Sequence, residues 1–101
     1  MRRTSAWARR CLGTAPAEGQ ARFGIVQGGT SLDLRLAHLD TVAALDFDGI
    51  ALGGFSVGEP PAQMYELLGE IAPKMPADSQ CYLMGVGTPT DLLRALSAGI
   101  D

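Results

Sequence analysis

The sequence predicts an α/β fold of parallel strands, and three observations point to it. Three short apolar stretches end in glycine: Phe-Gly-Ile-Val-Gln-Gly-Gly (Phe23 to Gly29), Asp-Gly-Ile-Ala-Leu-Gly-Gly-Phe (Asp48 to Phe55) and Cys-Tyr-Leu-Met-Gly-Val-Gly (Cys81 to Gly87). Each is followed by a helical pattern of apolar residues. The strand starts, near positions 22, 49 and 81, lie about 27 and 32 residues apart, the size of one strand–helix unit. Such units build either a doubly wound sheet or a (β/α)8 barrel. All three strand ends carry glycine and polar groups alike, whereas a doubly wound sheet concentrates them at one switch point, so a partial (β/α)8 or TIM barrel is favoured. Ligands of parallel sheets gather at these carboxyl ends, where glycine lets backbone N–H groups approach a flat or anionic molecule.

Residues 1–20 read as an N-terminal helix and linker. The pattern predicts an amphipathic helix from about Thr4 to Leu12, with Trp7, Cys11 and Ala8 on its buried side, ended by the Gly13 to Gly19 stretch that contains Pro16. The Arg-rich, acid-free start shares its composition with transit peptides. It has no continuous apolar core of a secretory signal.

Residues 21–101 read as three consecutive βα units. The first strand, Ala21 to Gln27, passes through Gly28 and Gly29 into Thr30-Ser31-Leu32-Asp33, a Thr-x-x-Asp capping pattern. The helix it opens places Leu32, Leu36, Leu39, Ala43 and Leu45 at mostly three- and four-residue spacing and is expected to end near Asp46. The second strand, Gly49 to Gly53, leads to Glu59-Pro60-Pro61, where proline suits the first helical turn. Met64, Leu67, Leu68 and Ile71 form the apolar face of that helix, which Pro73 and Pro76 close. After the third strand, Thr88-Pro89-Thr90-Asp91 starts a last helix with Leu92, Leu93 and Leu96, and Gly99 is placed as its C-cap. Ile100-Asp101 has the character of the first residues of a further strand.

Composition bounds what the chain does. Its 101 residues are 47% hydrophobic, enough for one small and marginally stable core. Charge is uneven: residues 1–22 hold five Arg and one Glu, whereas residues 23–101 hold three basic and ten acidic groups, within a net charge of −3. Charge alone therefore does not infer a nucleic-acid partner. Cys11 and Cys81 lie seventy positions apart and His38 is the only histidine, a set that builds no zinc site and reads as reduced thiols of a cytoplasmic protein. No apolar run approaches the roughly 20 residues that span a bilayer.

The candidate chemistry clusters at the strand ends. Gln27 offers a donor and an acceptor side by side, suited to the lactam or amidine edge of a purine-like base, or it is a carboxamide capping the loop backbone. Gly53 and Gly54 either present N–H and C=O groups to a planar ligand or form a tight turn. Met84 is read as core, with ligand surface as the alternative, and Tyr82 shares its face of the strand. Gly85-Val86-Gly87-Thr88 lacks the Gly-Lys-Ser/Thr ending of a P-loop. Asp33, Asp40, Asp46 and Asp91 read as solvated, and His38 as a surface residue.

Three ordered strings carry a resemblance. Phe-Gly-Ile-Val-Gln-Gly-Gly, then Phe-Asp-Gly-Ile-Ala-Leu-Gly-Gly-Phe-Ser-Val-Gly-Glu-Pro, then Tyr-Leu-Met-Gly-Val-Gly-Thr-Pro-Thr-Asp-Leu strongly resemble the tRNA-guanine transglycosylases, the queuine tRNA-ribosyltransferase family. The likeness runs from Phe23 to Asp101, and the Trp7-Ala8-Arg9-Arg10 helix resembles the segment before it. It implies a (β/α)8 barrel enzyme that exchanges guanine for a 7-deazaguanine, queuine or preQ1, at the tRNA wobble position on the way to queuosine. By motif, Gln27 resembles the base-reading glutamine, and Gly54 with Phe55 the pair whose backbone meets the base, Phe55 replacing a common Leu. Glu59 resembles a glutamate that supports that backbone, beside Gly53, and Met84 the methionine that stacks on the base, which reverses the core reading above.

The family works through an aspartate nucleophile that holds the ribose and a second aspartate as general acid/base. The resemblance places the nucleophile as the second aspartate of an Ile-Asp-x-Phe-Asp motif, of which this chain has the first, Asp101, and the general base on an earlier strand. The family's Cys-x-Cys-x-x-Cys…His zinc site also lies outside these residues, so zinc and the homodimer are expected of the full-length enzyme only. The chain is accordingly expected to be truncated and inactive alone, with a non-catalytic base-binding or accessory fragment of the same fold as the alternative.

Overall fold

The computed structural model describes every residue from Met1 to Asp101. Its elements alternate: α1 (Arg2–Leu12), β1 (Phe23–Val26), α2 (Leu32–Ala43), β2 (Gly49–Leu52), α3 (Pro61–Ile71), β3 (Gln80–Leu83) and α4 (Pro89–Ala98), with a 3-10 turn at Ala72–Lys74. The strands pair in parallel in the order β1-β2-β3, with Phe23, Gly49 and Gln80 in one row and Val26, Leu52 and Leu83 in the last.

Strand alternation divides the sheet into two unlike faces. Val26, Ile50, Leu52, Cys81 and Leu83 join Leu39 and Val42 of α2, Met64, Leu68 and Ile71 of α3 and Ala95 of α4 in one buried cluster. All three helices therefore cover the same face. The other face carries Ile25, Gln80 and Tyr82, all exposed. Sequential strand order with helices on one side is compatible with three consecutive units of a (β/α)8 barrel; in a doubly wound sheet the order reverses and helices cover both faces.

Several local expectations need correction. α1 has no buried residue: Trp7 is 59% exposed beneath the Arg10 guanidinium, and Cys11 is exposed too. The helix packs chiefly on α2, too narrow a seat to cover its apolar side chains. The cap of α2 is Ser31, whose side chain accepts from the Leu34 N–H, not Thr30, and the helix stops at Ala43 rather than near Asp46. Its buried stripe is Arg35, His38, Leu39 and Val42. Two polar residues occupy that stripe because the helix faces the polar strand ends, so Ala43 falls outside it.

Other expectations hold. Pro61 opens α3, and Met64, Leu67, Leu68 and Ile71 are its buried residues. Thr88 and Asp91 form a reciprocal capping box at α4, and Gly99 ends it in the left-handed region at φ 98°. Leu92, Leu93 and Leu96, however, are exposed, and only Ala95 of this helix is buried. Beyond it, the Asp101 N–H donates to the Cys81 carbonyl at 3.1 Å, and the Asp101 carboxylate accepts from the Cys81 N–H at 2.8 Å. The chain thus returns to the free edge of β3, as the strand-like character of Ile100-Asp101 requires.

Candidate functional site

One residue past the last paired row, Gln27, Gly53 and Met84 continue the register on the face that the helices leave open. The Gly53 N–H donates to the Val26 carbonyl and the Met84 N–H to the Leu52 carbonyl, both at 3.0 Å, which carries the ladder through this row. The central residue has no side chain, so the row is a shallow slot flanked by Gln27 and Met84, with the Gln27 carboxamide and Ile25 Cγ2 lying over the buried Gly53 backbone. Tyr82, half exposed, lies on the same face one step below Met84. Met84 is half-buried and outside the buried cluster, so the core reading of this residue does not hold.

The Gln27 carboxamide lies against the Gly53–Gly54 backbone. A Cβ on Gly53 would stand 2.7 Å from Gln27 Nε2, and one on Gly54 would stand 2.6 Å from Gln27 Oε1. Gly54 also has φ 69°, which glycine adopts without strain. The carboxamide makes no hydrogen bond within the chain, so it is not the loop-capping amide of the alternative reading.

The loops behind the slot are held by Arg35, a residue that sequence reasoning did not single out. It is fully buried, and its guanidinium donates to three backbone carbonyls: Nε to Gly29 at 2.6 Å, Nη1 to Gly53 at 2.9 Å and Nη2 to Gly54 at 3.0 Å. Its plane stacks 3.7 Å from the centre of the buried Phe55 ring. Burial lowers the pKa of this guanidinium, and the charge of Glu59 acts against that shift. Gly28 makes room for it: a Cβ there would stand 2.6 Å from Arg35 Cγ. Because both glycine carbonyls are committed to Arg35, the backbone groups left for a ligand are the N–H groups of Gly54 and Phe55 and the Phe55 carbonyl. The signal for Arg35 was its place seven residues after Gly28 on the 35-38-39-42 spacing, where a cation reads as an exposed one.

Glu59 lies one turn further on. Its carboxylate accepts from the Ser56 N–H and from the Val57 N–H, the latter at 3.0 Å, so it holds the turn after Phe55 rather than the Gly54–Phe55 peptide itself. Its own backbone N–H and those of Ser56 and Val57 lower its pKa. Ser56 adopts φ 58°, rare for a residue with a side chain, and these bonds keep it there.

His38 is buried, not at the surface, and its Nδ1 accepts the Gln27 N–H at 2.9 Å, fixing the backbone from which the carboxamide projects. Asp91 is engaged as well: beyond its capping role it accepts from the Tyr65 hydroxyl. No group of three His, Cys, Asp or Glu side chains comes together, so these residues do not fit a zinc site. No helix is long and apolar enough to cross a membrane.

A slot with one carboxamide wall, one thioether wall and free backbone N–H groups suits a flat, apolar-faced molecule with a hydrogen-bonding edge. The family model described as queuine tRNA-ribosyltransferase matches residues 1–101. A protein of that name from Sorangium cellulosum (strain So ce56) is 57% identical over 100 residues, covering 99% of this chain and 25% of its own length. Its namesakes from Solidesulfovibrio magneticus (strain ATCC 700980 / DSM 13731 / RS-1) and Nostoc sp. (strain PCC 7120 / SAG 25.82 / UTEX 2576) are 55% and 48% identical, covering 97% and 98% of this chain and 27% and 26% of their own. The chain spans about a quarter of the length of the curated relatives it matches.

Proposed function

The chain belongs to the queuine tRNA-ribosyltransferase family, and from that premise we propose that its strand ends form the base-binding wall of a tRNA-guanine transglycosylase. The observation that carries this is the Gln27–Gly53–Met84 row. The Gln27 carboxamide reads the lactam or amidine edge of guanine or a 7-deazaguanine. The N–H groups of Gly54 and Phe55 meet its acceptors, and the Met84 thioether lies on the ring face. Arg35 and Glu59 hold the two turns in shape before the base arrives.

The reaction exchanges guanine for a 7-deazaguanine at the wobble position of tRNA. It breaks one N-glycosidic bond and makes another, with an aspartate carrying the ribose between the two. None of the carboxylates described at the sheet is free for that step. Asp101 accepts from Cys81, Asp91 from Thr88 and Tyr65, Glu59 from Ser56 and Val57, and Asp48 from the Arg22 N–H. We infer that these 101 residues bind base without exchanging it, the aspartates of the exchange lying elsewhere in the family's motif pattern. The barrel around them, the homodimer and the zinc belong to the longer family protein, whose work is cytoplasmic.

Titrating guanine and a 7-deazaguanine against the chain and against Gln27→Ala tests the wall. Weaker binding by the variant is expected; equal, negligible binding by both would refute it. Guanine exchange into tRNA by the purified chain would refute the second part.

A further inference from the structure

Two buried side-chain polar atoms lack a partner, Arg22 Nε and His38 Nε2, and only the Arg22 side chain makes other hydrogen bonds from its donor end, through Nη1 to the Leu12 and Thr14 carbonyls. His38 is 1% exposed in the middle of α2, and its Nε2 is shielded from solvent and bonded to nothing. Because Nδ1 accepts the Gln27 N–H, the proton of the neutral ring is on Nε2. The atom is thus a buried donor without an acceptor, an arrangement few native structures leave unexplained.

The ring lines a cleft of about 560 Å³ between α1 and α2, with Arg2, Ser5, Arg9, Leu34 and Thr41 among its other walls. Arg2 and Arg9 stand two turns apart on one side of α1, and neither guanidinium makes an ion pair or hydrogen bond within the chain. No carboxylate lines the cleft. The Ser5 and Thr41 hydroxyls donate to the Met1 and Ala37 carbonyls of their own helices. Burial, and after it the positive amino group of the chain, keeps the imidazole pKa below its usual value, so the ring enters neutral.

We propose that the α1–α2 cleft is a site for a phosphate-class oxyanion, with the His38 Nε2–H as its innermost donor and Arg2 and Arg9 as flanking cations. Guanidinium forks match phosphate oxygens, and a tetrahedral anion accepts from both arginines and from the imidazole at once. Nε2 is shielded from solvent, so the anion reaches it only when the side chains lining the cleft rearrange. The phosphate comes either from an RNA backbone or from a free anion, and the site does not rest on the base-binding reading.

The test follows the His38 imidazole by ¹H–¹⁵N NMR in the 101-residue chain, with inorganic phosphate and separately with a short single-stranded RNA. A saturable shift of the Nε2 resonance and a raised His38 pKa at saturation are expected. Response to the oligonucleotide alone identifies a backbone phosphate; response to phosphate identifies a free anion. His38→Asn keeps an acceptor for the Gln27 N–H but is too short to place a donor at the Nε2 position, so binding falls about tenfold. The pair Arg2→Gln with Arg9→Gln falls at least as far and, being on the surface, leaves thermal unfolding unchanged, which decides the matter if His38→Asn does not fold. A His38 resonance unmoved by both probes, or a double arginine variant that binds as the parent does, overturns the proposal.

Discussion

The Arg35 guanidinium is pressed between the Phe55 ring, 3.7 Å from its centre, and the carbonyls of Gly53 and Gly54. A cation from α2 thereby ties the turn that follows β1 to the turn that follows β2. It satisfies three carbonyls that no helix or strand would otherwise reach.

Removing that tie is costly. Arg35→Met leaves the three carbonyls without donors, and a loss of about 3–5 kcal/mol is expected in urea unfolding. A domain of this size holds roughly 5–15 kcal/mol in all. Arg35→Lys keeps the charge but replaces the fork with a point donor, and is expected to lose more than half of the same amount. An Arg35→Lys chain as stable as the parent would show that charge, not the fork, is what matters.

Gly54→Ala should separate binding from stability. The new Cβ would meet Gln27 Oε1 at 2.6 Å and occupy φ 69°, so the carboxamide must swing away. The expected stability loss is about 1–2 kcal/mol from the left-handed conformation, with guanine binding reduced well beyond what that loss explains. Gly58→Ala is the control: φ is 126° and nothing lies within 4 Å, so it carries strain without touching Gln27. Differential scanning fluorimetry beside a base titration distinguishes the two.

Met84→Ala is expected to weaken base binding about two- to tenfold, the range of a sulfur–aromatic contact. Because Met84 is outside the buried cluster, its unfolding midpoint should barely move. A large destabilisation would return Met84 to a packing role.

Acid should lower the stability of the chain over two pH ranges. The His38 pKa lies below its ordinary 6.5, so its share of stability is complete above that pH and is lost as pH falls through the lower folded value. Asp91 is lowered from 3.8 by the Thr88 and then the Tyr65 hydrogen bond, and Glu59 from 4.5 by backbone N–H groups. Their shares are complete above those values and are lost below them. Tyr65 runs the other way: its hydrogen bond to Asp91 holds the phenol above 10, so its share is full below pH 10 and lost above it. Urea midpoints measured from about pH 2 to 11 check this, and Asp91→Asn should flatten the most acidic limb.

The exposed row of Leu92, Leu93 and Leu96 on α4 predicts concentration-dependent association. Leu93→Lys is expected to shift light-scattering masses toward the monomer, with the fold unchanged by circular dichroism.

Much of this was legible where one residue type has one physical use. Glycine at the strand ends, proline at the start of α3, the Thr88–Asp91 pair and Gly99 each marked their element correctly, as did the 64-67-68-71 face. Failures came where the environment reverses a residue's usual preference. Arg35 and His38 stand on the buried stripe of α2, so a search for leucine spacing placed the face too far round. Trp7 and Cys11 were expected to be covered, but too little of the chain packs against them. The sequence placed Gln27, Gly54 and Met84 at neighbouring strand ends, and the parallel register brings them side by side there. What holds them there was not legible, since the Arg35 contacts join residues 18 and 19 positions apart in sequence.

The bracket that Asp101 places on Cys81 has a consequence for solubility. Its N–H and carboxylate occupy the carbonyl and the N–H that a foreign strand would seek in the middle of β3. The aspartate imitates a neighbouring strand for one residue and puts a negative charge on the rim. A peptide trying to extend the sheet must first evict that charge, so accidental sheet growth through β3 is resisted where the strand is most templating.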